Sequence, residues 1–263
     1  RLAYTKEEQE AKQFFIQMCE REGLHIREDA CGNVIAKRNG WDPSLPAVSC
    51  GSHLDSVIQG GKYDGTVGVV AALEVIRRLN EKEVETKHPI ELICFAAEES
   101  TRFGVSTIGS KAMAGLVDEK RMSGLRDRQG VSLVEAFKAC GLNAGRITEC
   151  KRRKEELKAF FEVHIEQGVT LETQKKQVGI VTSIAAPTRL QVYVKGQASH
   201  SGATLMHLRK DALLGGSEIA LGLENVAKAE SKNGTVATVG VFDVEPGAIN
   251  IVPGAVNMQI DIR

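Results

Sequence analysis

The sequence predicts an α/β fold built on a mainly parallel sheet, followed by a smaller α+β domain. Two observations predict the first part. Near-continuous apolar runs at 47–53, 88–100 and 159–168 are separated by helix-patterned stretches, as buried parallel strands and their crossovers are. Each of these runs also ends in polar, chemically capable residues. A third observation predicts the second part: from near residue 184 the strands alternate apolar and polar residues, which suits a sheet covered on one face only. The expected domains are therefore 1–184 and 185–263.

Taken in order, Thr5 to Glu22 is patterned as a helix, with Phe14, Phe15, Met18 and Cys19 at helical spacing and Gly23 as its stop. LHIREDACGNVIAKRNG turns like a hairpin, with NVIAKR as a short strand. AVSCGSH (47–53) reads as a buried strand, and YDGTVGVVAALEVIRRLNE (63–81) as a helix with Val67, Val70, Ala71 and Ile76 among its apolar positions. HPIELICFAAEES (88–100) and AFFEVHIEQG (159–168) are the further buried strands. In the second domain RLQVYVKG (189–196), a helix from about Arg209 to Lys228, TVATVGVFDV (235–244) and AVNMQIDIR (255–263) give a β-α-β-β order. No internal repeat or low-complexity tract interrupts this plan.

The bulk properties exclude several partners. With 42% hydrophobic and 26% charged residues over 263 positions, the chain is globular rather than disordered. Lys plus Arg and Asp plus Glu number 34 each, so no net field favours nucleic acid or an acidic membrane surface. The basic run Lys151 to Lys154 is followed at once by Glu155 and Glu156 and reads as a solvated helix face. The six cysteines include no CxxC pair and sit partly in apolar strands. They are expected to be buried free thiols rather than disulfides or zinc ligands. No apolar stretch approaches the ~18–20 residues that span a bilayer, and the first residues are charged, so a cytoplasmic protein is expected.

Chemistry concentrates at the strand ends. His53 and Asp55 close the first run, Glu98 and Glu99 the second, His164 and Glu166 the third, and Asp64 opens the following helix. In open α/β sheets the carboxyl ends of the strands face the binding crevice, so these groups can converge there. Two histidines with several carboxylates are the donor set of Zn²⁺ or a similar divalent ion. Residues two apart on a strand share a side, so Asp55 is expected to accept a hydrogen bond from His53 and fix its tautomer. Of adjacent glutamates, one can hold metal while the other acts as a general base on water.

Each residue also has a plain structural role open to it. Asp64 could be an N-cap, His53 and Glu98–Glu99 ordinary polar residues, and His164 a satisfied core histidine. The coincidence of four such positions favours a metal site. Gly60, Gly61, Gly65 and Gly68 lack the spacing of a phosphate loop, and Ser52 and Ser199, though each is near a histidine, lack a GxSxG elbow.

Five blocks, GSHLDSVIQGGKYDGTVGVVAALEVI, AAEESTRFG with IGSKAMAG, FEVHIEQGVTLE, GQASHSGATLMHLRKDAL and EPGAINIVPG…DIR, resemble the N-carbamoyl-L-amino acid hydrolase, allantoate amidohydrolase and β-ureidopropionase family. That family is related to zinc aminoacylases and dimetal carboxypeptidases. The resemblance implies a dimetal exopeptidase-like catalytic domain with a lid that also dimerises. It implies two divalent ions, zinc first and manganese, cobalt or nickel as alternatives, held by His53, Asp64, Glu99 and His164 with Asp64 bridging. Glu98 is the implied general base and Asp55 the group that orients His53. His200 is implied to reach the partner subunit's active site in a homodimer, and Gln167, Asn250 and Arg263 to hold a small carbamoyl or ureido carboxylate, the last two near its carboxylate.

The implied reaction converts an N-carbamoyl-L-amino acid to the amino acid, carbon dioxide and ammonia. Allantoate is the alternative substrate. Two departures stand out. HSGATLM replaces the family's usual His-Ala-Gly-Thr-Thr-Pro-Met, which changes contacts near Ala203 and Leu205. The sequence also stops before the family's last lid elements and the final histidine ligand of the second metal. The lid is therefore expected to be incomplete. Were these 263 residues the whole molecule, impaired two-metal binding and little activity would follow; an inactive metal- or ligand-binding remnant is the alternative reading.

Overall fold

A computed structural model describes residues 1–117 and 119–263, and these form two compact units, Arg1–Lys175 and Lys176–Arg263. The first contains α1 (Lys6–Arg21), β1 (His25–Glu28), β2 (Val34–Arg38), β3 (Ala47–His53), α2 (Thr66–Glu81) and β4 (Ile90–Phe95). It continues with α3 (Ile108–Met113), α4 (Glu119–Ser123), α5 (Leu133–Ala139), β5 (Leu157–Phe161) and α6 (Thr170–Thr173). The fold is α/β with a five-stranded sheet in the order β1-β2-β4-β3-β5. The expected mainly parallel sheet is in fact mixed. β3 runs parallel to β4 and β5, whereas the β1–β2 hairpin joins β4 antiparallel.

Alternation along the strands divides the core. Val34, Ala36, Leu92 and Cys94 face Phe15 and Cys19 of α1 and Val69, Ala72, Leu73 and Ile76 of α2. Ile35 and Ile93 face the other way and pack on Met113. The period of 2 in the strands meets the period of 3.6 in the helices, which is the pattern of a sheet buried on both faces.

Three sequence expectations need correction here. Phe14 and Val70 are exposed, and the inner face of α1 instead buries the ion pair Glu8–Lys12, with nitrogen and oxygen 2.9 Å apart. The pair is tolerated because its neighbours supply polar partners: Lys12 donates to the Gly32 carbonyl and the Tyr4 amide donates to Glu8. The run 151–154 is only in part the solvated face expected: Lys151, Arg153 and Lys154 are exposed, but Arg152 is half-buried and paired with Glu91 of β4 and with Glu156. Lastly, β5 ends at Phe161, so His164 and Gln167 belong to the segment after the strand.

The second unit holds β6 (Thr188–Lys195), β7 (Ser199–His200), α7 (Ala212–Ala229), β8 (Ala237–Glu245), β9 (Ile251–Val252) and β10 (Ala255–Ile262). β6, β10 and β8 make an antiparallel sheet in that order. α7 covers one face of it: Ala212 and Leu213 pack with Val192, Val194, Val239, Phe242, Val244, Val256 and Met258. Among the described residues, no helix is long and apolar enough to cross a membrane.

Candidate metal centre

β3 delivers His53, fully buried, at the end of the sheet. Two residues on, Asp55 is also buried, but its role differs from the sequence expectation. The Nδ1 of His53 lies 2.9 Å from the backbone carbonyl of Asp55 and 3.6 Å from its carboxylate. The strand has already ended, so the alternation argument does not apply to Asp55, and the carbonyl rather than the side chain accepts the bond. The Asp55 carboxylate instead accepts the amides of Glu98 at 3.1 Å and Glu99 at 2.9 Å, one on each oxygen. Ala97 just before them has φ 47°, a left-handed turn that aims consecutive N–H groups at one anion. Asp55 therefore locks the β3 end to the β4 end.

Helix α2 brings Asp64 against this histidine. Gly65, with φ 67°, sits so close that a Cβ there would lie 2.5 Å from the His53 ring. Only glycine allows both the turn and that approach. Asp64 is not the side-chain N-cap of α2: the cap position is Gly65, without any side-chain bond. Its Oδ2 accepts from Gln167 Nε2 at 2.7 Å. Its Oδ1 is buried with no hydrogen-bond partner, 3.2 Å from His164 Nε2 and 3.9 Å from His53 Nε2.

His164 reaches this point from the segment after β5. Its Nδ1 lies 2.8 Å from the Ile165 carbonyl, as that of His53 lies against Asp55. A backbone carbonyl on each Nδ1 selects the tautomer that carries its proton there. With both imidazoles neutral, two Nε2 lone pairs and one carboxylate oxygen converge, which a cation satisfies. Among the described residues two groups have the geometry to hold a metal ion, His53–Asp64–His164 and His53–Glu98–Glu99, with ligand atoms within 4.8 Å of one another. Glu98 Oε2 lies 3.8 Å from His53 Nε2. The residues present fit divalent ions, and His53 belongs to both groups.

The electrostatics favour positive charge at this point, a proton or a cation. Burial alone would depress the basicity of His53, but the Asp55 charge, with Glu98, outweighs it and lifts the imidazole to about 9. Burial raises the Glu98 carboxyl above its ordinary value; Asp55 and Glu162 add to this, and His53 and His164 oppose it. Burial, then the Glu98 charge, does the same for Glu99. Crowding of the carboxylates is what a bound cation relieves. The thiols take no part: burial pushes Cys19, Cys31, Cys94 and Cys150 up to about 12 and Cys50 to about 11.

Other residues fall elsewhere. Glu166, a candidate from the third run, accepts the amides of Thr170 and Leu171 at the start of α6. Ser52, dismissed as a nucleophile, is buried and donates to Glu162 at 2.5 Å; this tether was not legible in the sequence. In the second unit His200 ends β7 opposite Ile251, and its Nδ1 accepts from the Gly202 amide at 3.0 Å. Asn250 lies beside it, its carbonyl bound to the Ser201 amide. The Arg263 guanidinium is engaged by Asp261 at 3.1 and 3.3 Å.

Residues 49–260 match the family described as peptidase family M20/M25/M40. An uncharacterized hydrolase of Haemophilus influenzae is 48% identical over the whole chain, which spans 64% of that protein. The N-carbamoyl-L-amino-acid amidohydrolase of Paenarthrobacter aurescens is 44% identical with the same coverage. The crystal structure of AtUAH in complex with glyoxylate aligns with a TM-score of 0.90 at 39% identity, over all of this chain and 63% of that one. Other relatives carry the names ureidoglycolate hydrolase and allantoate amidohydrolase. The chain thus spans 56–64% of the length of these relatives.

Proposed function

Because the chain belongs to peptidase family M20/M25/M40, we propose that it forms the greater part of a metal-dependent amidohydrolase that cleaves linear C–N bonds in N-carbamoyl-L-amino acids. The observation that carries this reading is the buried Asp64 Oδ1, without a hydrogen bond and faced by the Nε2 atoms of both His53 and His164. A carboxylate oxygen is rarely left so unless a cation completes it. The names of the similar proteins, N-carbamoyl-L-amino-acid amidohydrolase among them, support the substrate class.

In this reading His53, Asp64, Glu99 and His164 hold two divalent ions, zinc first. Such ions supply Lewis acidity, polarising a carbonyl and acidifying water toward neutral pH. Glu98, half-buried and of raised proton affinity, takes the proton of the attacking water and passes it to the departing nitrogen. Asp55 holds the Glu98–Glu99 turn so that the base keeps its place. His200 of a second copy, in a homodimer, donates to the developing oxyanion, and Asn250 and Arg263 receive the substrate carboxylate. Arg263 would exchange its Asp261 partner for that carboxylate, a bidentate fork suited to either.

A substrate panel followed by ammonia release tests the assignment. Carbamoyl amino acids are expected to turn over faster than allantoate or ureidoglycolate, and the reverse order reassigns the substrate. Glu98→Ala is expected to keep its metal and lose at least ~100-fold in kcat. Unchanged turnover removes Glu98 from the mechanism. Bound metal with no turnover of any substrate marks an inactive binding protein.

A further inference from the structure

The structure assigns Arg209 as the positioning residue that presents His200 as a hydrogen-bond donor rather than as a metal ligand. The inference rests on the reading that gives His200 the developing oxyanion, and it names what keeps the ring fit for that task. Three histidines carry the proposed chemistry, and their Nδ1 atoms meet opposite partners. Those of His53 and His164 lie against backbone carbonyls, 2.9 and 2.8 Å away, which places the proton on Nδ1 and leaves Nε2 bare for a cation. His200 Nδ1 instead faces the Gly202 amide at 3.0 Å. A backbone N–H can only donate, so this Nδ1 is the bare nitrogen and the proton of the neutral ring sits on Nε2. His200 thus offers a donor at the ring position where the other two offer a lone pair.

The ring keeps that state only while Gly202 stays beside it, and Gly202 and Ala203 are exposed. The turn is tied by one half-buried guanidinium: Arg209 Nε donates to the Thr204 carbonyl at 3.0 Å, and Nη2 to the Ser201 carbonyl at 2.5 Å. These carbonyls flank Gly202, and a planar fork fixes their spacing in a way that a flexible point charge does not. Arg209 is itself firmly based. Two residues on, Asp211 caps α7 by accepting the amides of Leu213 and Leu214, and the Ala212 amide donates to the Pro253 carbonyl. The Ser201 amide donates to the Asn250 carbonyl, a second fixed point for the turn. Order therefore passes from the start of α7 through Arg209 to the turn, and from the turn to the ring.

The test uses protein labelled with ¹⁵N, at about pH 9, where an ordinary imidazole is neutral. It compares wild type with Arg209→Met, which keeps an apolar stem and removes the donors, and with Arg209→Lys, which keeps the charge without the fork. The wild-type His200 ring is expected to show one tautomer, bare at Nδ1 and protonated at Nε2. In both variants the Nδ1 resonance is expected to shift toward its protonated position as the second tautomer appears. The Gly202 amide should exchange faster with solvent while the amides of β10 stay protected. With a carbamoyl amino acid, Arg209→Met is expected to lower kcat/KM ~10–100-fold. In a His200→Ala background the same change should add about twofold or less, because both residues act through one ring. An unchanged ring and Gly202 amide in both variants overturns the inference, and so does an undiminished Arg209→Met loss in the His200→Ala background. An enzyme indifferent to His200→Ala overturns the oxyanion reading instead, and the ring spectra still decide whether Arg209 positions His200.

Discussion

His53 and the Glu98–Glu99 pair are held by backbone: adjacent parallel strands set their spacing, and the Asp55 carboxylate binds two consecutive amides across the gap. His164 lies three residues beyond the last strand and is held by side chains, Glu162 on Ser52 and Gln167 on Asp64. In the first half His53 and Asp55 are buried and Glu98 and Glu99 half-buried, whereas the second is open to solvent. The difference teaches that one cluster can join a rigid wall to an adjustable arm. Changes to the wall should disrupt the fold, whereas changes to the arm should alter only the site.

The sharpest attempt to break this contrast is Gly65→Ala. The new Cβ would meet the His53 ring at 2.5 Å in a left-handed backbone conformation, so a loss of about 2–5 kcal/mol in urea unfolding of the metal-free protein is expected. A variant as stable as wild type would show that the wall yields. Behind the wall, Arg102 donates to the carbonyls of Ala3 and Tyr4 and pairs with Asp127, which also accepts the Gln129 and Val131 amides.

Partial burial opposes ionisation of Asp127, but these partners outweigh it and hold its carboxyl below the ordinary value of 3.8. A depressed carboxylate stabilises the fold above its unfolded pKa, and that stability is lost as pH falls through the folded value. Asp127→Asn should therefore cost about 1–2 kcal/mol at pH 7, with the gap to wild type closing below about pH 4. An equal gap at pH 7 and pH 3 refutes this. The smallest effect is expected in the arm. Ser52→Ala should cost about 1 kcal/mol or less overall, yet speed amide hydrogen exchange in 162–168 while leaving 53–55 protected. Equal acceleration in both stretches would erase the distinction.

The sequence made the wall readable because apolar runs ending in His53 and Glu98–Glu99 carry their own register. The period of 2 places the strand, and the strand places its end. It was silent wherever a contact depended on a partner distant in the chain. Nothing local announces that Lys12 and Glu8 would pair in the core, or that Arg152 would cross to Glu91. The hairpin of β1 and β2 was legible, but not that it would add antiparallel to β4. Strand alternation pairs the Asp55 side chain with His53, but Asp55 lies two residues past the strand's end, and its true partners depend on the left-handed turn at Ala97. Gln167 was noted only through the HIEQG block, because its bond to Asp64 spans about a hundred residues.

The sulfur chemistry of the core has a practical side. Cys19, Cys31, Cys94 and Cys150 are sealed in apolar surroundings and remain neutral thiols well above physiological pH. Nucleophilic attack by sulfur needs the thiolate, so mild oxidants and alkylating reagents find almost nothing to react with at these four positions while the interior stays shut. These four atoms thus serve as silent gauges of the α1 and α5 packing, becoming reactive only when the wall behind the metal ligands comes apart.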